Sequence, residues 1–150
     1  MRLTLVLCLT MLVFGASVTS VAGLNANQVT DDDLNWIALV VVASGYLVQD
    51  MNNITAAANN LDFDALSYSC ALLYGHADTA KKMGDGYTVS SQYRSTKREF
   101  DYALDDCKTA ALYGYEGAEE RDADKLTLAT QYLARATEHI QKSMEYMPDN

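Results

Sequence analysis

The sequence predicts an all-α protein, an up-down-up-down four-helix bundle, and three observations carry that prediction. Proline occurs once, at Pro148, so nothing of that kind interrupts a helix between Thr30 and Met147. Apolar or small residues return every three or four positions along four separate stretches. The breaks between the stretches are short and rich in Asn, Asp and Gly, and short connections force neighbouring helices antiparallel.

The first helix starts at Thr30, a hydroxyl cap with Asp33 three residues on, and Asp31, Asp32 and Asp33 suit the positive end of a helix. Its predicted seam is Leu34, Ile37, Val41, Ser44, Val48, Met51, Thr55 and Ala58, and Asn59 and Asn60 end it. The second opens at Asp62 and buries Phe63, Leu66, Cys70, Leu73, Ala77, Ala80 and Gly84, closing at Gly84 to Gly86. The third begins after Ser90, with Tyr93, Thr96, Phe100, Ala103, Cys107, Ala110 and Gly114 facing inward. A break at Gly114 to Gly117 leads to the fourth, whose inner face is Leu126, Ala129, Leu133, Ala136, Ile140, Ser143 and Met147. So many small seam residues let helices approach closely and leave little room for a large ligand cavity.

Ahead of the bundle, residues 1–22 read as an export signal. Arg2 precedes an apolar core from Leu3 to Phe14, and Ser20 and Ala22 stand three and one before a cut at Gly23. The domain is then 23–150, and the protein is secreted or extracytoplasmic. Gly23, where an acylated cysteine would stand, argues against a lipid anchor. Membrane attachment is expected only if the signal is uncleaved, as a tether through residues 1–22. The apolar stretch Trp36 to Val48 is short for a span and reads as a core helix.

The formal net charge is −9. That excess of acid excludes nucleic acid and anionic membrane surfaces as partners, since both call for a positive face. It also keeps an exported protein soluble.

Two cysteines remain after the signal, Cys70 and Cys107, on facing seams. Two readings stand: a disulfide of an exported chain, or two buried free thiols. With the hairpin centred near Tyr87 the pair is roughly 4 to 5 Å out of level at 1.5 Å per residue. A bond would close a loop of about 38 residues and add on the order of 3 kcal/mol.

Other chemistry is thinly represented. His76 and His139 belong to no Glu-x-x-His pair and no Cys-x-x-Cys-His is present, so neither metal nor haem is expected, and no cofactor. A Met51–His139 haem pair fails on level. Acids gather at one end of the traced bundle (Asp62, Asp64, Asp105, Asp106, Glu116, Glu119, Glu120, Asp122, Asp124) and Lys81, Lys82, Arg94, Lys97 and Arg98 at the other. No calcium loop accompanies the acids, and half sit in first turns favoured by the helix dipole. Tyrosines off the seams, among them Tyr68, Tyr74 and Tyr102, read as rim packing or a contact patch. Asn53, Ile54 and Thr55 form an N-glycosylation acceptor at Asn53. No nucleophile motif or phosphate loop is present, so an enzyme is not expected.

The phrase Tyr87, Thr88, Val89, Ser90, followed by Lys97, Glu99, Phe100, Ala103, Leu104 and Asp106, resembles one in small exported helical proteins of methanogenic archaea. The later residues Gly117, Ala118, Asp122, Leu126, Ala129, Tyr132, Ala136, His139 and Ile140 are similar to the end of those proteins. The resemblance implies export and a helical bundle, and carries over no activity and no catalytic residue. The expectation is a non-enzymatic interaction or structural module of the cell envelope; the alternative is an extracytoplasmic carrier or sensor holding a ligand, metal or haem between helices.

Overall fold

A computed structural model describes residues 29–148; the export signal read at residues 1–22 lies outside the described residues. Four helices follow one another: α1 (Asp31–Asn59), α2 (Phe63–Asp85), α3 (Arg94–Glu120) and α4 (Ala123–Glu145), with a 3-10 turn (Ser91–Tyr93) leading into α3. No strand occurs among the described residues, and the packing is sequential, α1 on α2, α2 on α3, α3 on α4. This is the all-α four-helix bundle that the spacing predicts.

Caps set the boundaries. The Thr30 hydroxyl accepts from the Asp33 N–H at 3.1 Å while the Asp33 carboxylate accepts from the Thr30 N–H at 2.9 Å, a reciprocal capping box. Asp62 accepts from the Ala65 N–H, and Asp122 from the N–H groups of Asp124 and Lys125. Ser90 precedes the 3-10 turn, but its hydroxyl caps nothing; its N–H donates to Asp33 at 2.7 Å, and the Thr88 N–H to Asp32 at 3.0 Å. The acids of α1's first turn therefore also pin the α2–α3 connection. At the same end the Thr96 hydroxyl donates to the Tyr146 carbonyl at 2.8 Å, fastening the last turn of α4.

The predicted break at Gly114 to Gly117 is not a break. Both glycines are buried inside α3, and the chain turns later, at Arg121 in the left-handed region (φ 54°). These glycines serve close approach. A Cβ on Gly117 would stand 3.0 Å from the Leu126 backbone nitrogen, and one on Gly114 would stand 2.6 Å from the Cys70 sulfur. Leu61, in the α1–α2 turn, shares φ 54°; a non-glycine residue held there costs on the order of 1 kcal/mol.

Trp36, Leu47, Leu73, Phe100 and Leu104 are the large side chains at the centre of the core, with the Trp36 ring 6.2 Å from that of Tyr93. The seams of α2, α3 and α4 are those predicted. The seam of α1 is not: Leu34 and Val41 are 45% and 58% exposed, while Trp36, Val40, Ala43, Leu47, Ile54 and Ala57 are buried. The helix is turned by one residue, about 100°. It is apolar on every side, so spacing alone does not orient it; the bulk of Trp36 and the bonds of Asp33 and Asp50 do.

Nor is the disulfide present. Cys70 and Cys107 are both free and buried, too far apart to bond. The ion pairs Lys81–Asp105 (2.6 Å) and Asp78–Lys108 (2.7 Å) are symmetric about Tyr93, so the hairpin is centred there and not near Tyr87. Cys70 accordingly meets Gly114, and the two cysteines are about nine residues out of level, roughly 13 Å along the helices. A disulfide needs Cα atoms within about 7 Å.

Candidate functional site

Charge is divided unequally between the two halves of the bundle. Residues 34–77 contain three acids, Asp50, Asp62 and Asp64, and neither lysine nor arginine; residues 94–145 contain eleven acids and eight basic residues. Asp62 and Asp64 sit at the α1–α2 turn and Asp50 is buried, so the middle of the outer α1–α2 surface is uncharged. Val42 and Tyr46 of α1 and Tyr68 of α2 are exposed there, whereas the Tyr74 ring faces α3, under Lys108 at 5.6 Å from its centroid. At the junction of the two helices the Tyr46 ring stacks on His76, centroids 4.8 Å apart at 27°. Beneath the stack His76 Nδ1 lies 2.6 Å from Asp50 Oδ2. Asn53, two turns along from Tyr46, is also exposed, whereas the hydroxyl of Thr55 in the same acceptor triplet donates to the Met51 carbonyl at 2.8 Å.

A second polar cluster joins α3 to α4. His139 Nδ1 is 2.9 Å from Glu99 Oε2 and its Nε2 is 3.8 Å from Asp106 Oδ2, while Arg135 reaches the other Asp106 oxygen at 3.2 Å. Tyr102 tilts against the imidazole at 5.4 Å. The His139 hydrogen bond holds the Glu99 carboxyl below the usual glutamate range, outweighing the burial that opposes it. Both histidines are thus tied to buried carboxylates, His76 from a half-exposed position and His139 from a more buried one.

These three buried acids are what sequence reasoning misses. Their signal is spacing: Asp50 stands seven residues after Ala43 on the true α1 seam, and Glu99 and Asp106 are seven apart on α3. Among the described residues no group of three or more His, Cys, Asp and Glu is placed to hold a metal. The acidic end is also smaller than predicted, since Asp105 pairs with Lys81. There Lys125 bridges Glu116 and Glu120, each at 2.9 Å, and those hydrogen bonds push its ammonium pKa up.

Burial pushes the Cys70 thiol up to about 12. Burial, with the Asp106 and Asp50 carboxylates, pushes Cys107 up to about 12 as well. Neither is a nucleophile at neutral pH, because the thiolate is the reactive form. The interior has no room for a large ligand there, but an apolar cavity of about 130 Å³ lies at the end of the bundle where α1 and α4 face each other, with Cys70 in its wall.

No protein family, curated protein or solved structure matches this chain.

Proposed function

We propose that this protein is an exported helical bundle of the cell envelope that works by association, and that the uncharged α1–α2 face is where a second copy of the chain docks. The observation that carries the reading is the charge division: two mature chains, each with twenty Asp and Glu against ten Lys and Arg, repel across most of their surfaces, but the face around Val42, Tyr46 and Tyr68 opposes no carboxylates. Exposed tyrosines supply large contact area at small entropic cost and keep their hydroxyls hydrogen-bonded. An anionic lipid surface fits less well, because the face carries no lysine or arginine to meet it. Export rests on residues 1–22 and on the resemblance to exported helical proteins.

Sedimentation equilibrium over a concentration series tests the association, with Val42→Glu and Tyr46→Glu as variants. A dimer that either variant converts to a monomer supports the reading. A monomer at every concentration, or a dimer indifferent to both substitutions, overturns it. Amino-terminal sequencing from the envelope fraction tests export: a mature chain beginning at Gly23 is expected, and cytoplasmic recovery with residues 1–22 intact contradicts it.

A further inference from the structure

The cavity at the far end of the bundle has a chemistry of its own. All four helices contribute to it: Ile54 and Ala58 from α1, Leu66 and Cys70 from α2, Ala110 and Gly114 from α3, Leu126, Ala129 and Leu133 from α4. It exists because the glycine contacts draw the neighbouring helices together unevenly. Gly114 admits Cys70 of α2 and Gly117 admits Leu126 of α4, so α2 and α4 both close onto α3. The α1 and α4 ends have no such contact, and the small residues Ala58, Ala123 and Ala129 leave the space between them unfilled.

Nothing in the wall calls for water. The two hydroxyls that line it are engaged by their own helix, Thr55 with the Met51 carbonyl at 2.8 Å and Thr130 with the Leu126 carbonyl at 3.0 Å. A buried water needs two to four polar partners, which this wall does not offer. The one charged lining residue, Arg121, lies over the Phe63 ring at 5.5 Å from its centroid. Both non-glycine residues with positive φ among those described, Leu61 and Arg121, line this cavity, one from each of the two turns that close this end. Glycine would make either turn more easily; leucine and arginine there also contribute side chains to the cavity wall.

We infer that this cavity is a binding site for a small, uncharged, apolar molecule of single-ring or short-alkyl size, held between the α1 and α4 ends. An apolar cavity of about 150 Å³ accommodates benzene, which sets the scale. A charged ligand is disfavoured inside, where it finds no partner to replace its hydration. The site is independent of the α1–α2 face, so either assignment can fail without the other.

Toluene is the probe. In amide-correlation NMR of the folded protein, saturable shifts are expected at Ala110, Gly114 and Ala129, and Ala129→Leu, which extends a side chain into the space, removes them. A second measurement reads linkage in unaltered protein: toluene at about ten times its dissociation constant should raise the folding equilibrium constant about elevenfold, by mass action. Absence of saturable shifts overturns the assignment, as does an unfolding midpoint unchanged at saturating toluene.

Discussion

The Asp50 carboxylate lies 2.6 Å from His76 Nδ1 and joins α1 to α2 beneath the Tyr46 ring, with side-chain exposures of 4% for the acid and 37% for the imidazole. That inequality makes the two deletions unequal. His76→Ala strands a buried carboxylate and should cost about 2 to 3 kcal/mol. Asp50→Ala leaves a half-exposed imidazole that water can reach, so a cost of about 1 kcal/mol is expected. Urea unfolding of the two variants near neutral pH checks the order; equal losses would mean the bond does not anchor Asp50.

The Glu99–His139 pair predicts an acid limb. Glu99 has its folded pKa lowered, chiefly by the His139 hydrogen bond, from an ordinary value of about 4.5. Its contribution is therefore complete above that value and is lost as the pH falls through the lower folded value. Glu99→Gln should be less stable than the parent protein at pH 6, and the gap should narrow toward pH 3. Denaturation midpoints across that range test it, and a constant gap contradicts it.

Asp33 adds to the same limb. Burial alone would raise its pKa, but hydrogen bonds from Thr30 and Ser90 outweigh that and lower it. Asp33→Asn should lose stability at neutral pH and loosen the α2–α3 connection, visible as faster amide exchange at Ser90.

Thiol counting checks the register. Unfolding without reductant should expose two thiols to Ellman's reagent in a chain beginning at Gly23, and a third, Cys8, in the full chain, and reduction should leave electrophoretic mobility unchanged. A faster-migrating unreduced species would show a bond the α2–α3 register forbids.

Glycine substitutions separate contact from propensity. Gly75→Ala meets nothing within 4 Å on the exposed side of α2 and should stabilise by about 0.5 to 1 kcal/mol. Gly117→Ala drives a methyl group against the Leu126 backbone and should destabilise by about 1 to 3 kcal/mol. For Gly114→Ala the obstacle is the Cys70 sulfur alone at close range, so Cys70→Ala in the same chain should recover most of the loss. Thermal unfolding of the single and double variants measures each.

How much was legible follows from what each signal reports. Thr30 and Asp62 act within one turn of chain, so their caps are readable without a partner helix; Asp122 caps α4 in the same way, but reading Gly114 to Gly117 as the break hides it. The seams of α2, α3 and α4 are readable because polar residues on the far side orient the stripe. On α1 that contrast is missing, and Leu34 and Val41 are as good a stripe as Trp36 and Val40 until neighbours choose. Gly114 and Gly117 look like a turn in one dimension; only the closeness of Cys70 and Leu126 shows that they are packing residues.

The sequence by itself determined four helices, the caps at Thr30 and Asp62, and three of the four buried faces, because all of these depend on residues near one another along the backbone. The tertiary structure alone decided the rotation of α1, the separation of Cys70 from Cys107, the pairing of Asp50, Glu99 and Asp106 with histidines, and the cavity. Those depend on the level at which helices meet. The connection through the 3-10 turn at Ser91–Tyr93 sets that level for α2 and α3, and shifting a hairpin by a few residues moves every facing pair by several ångströms.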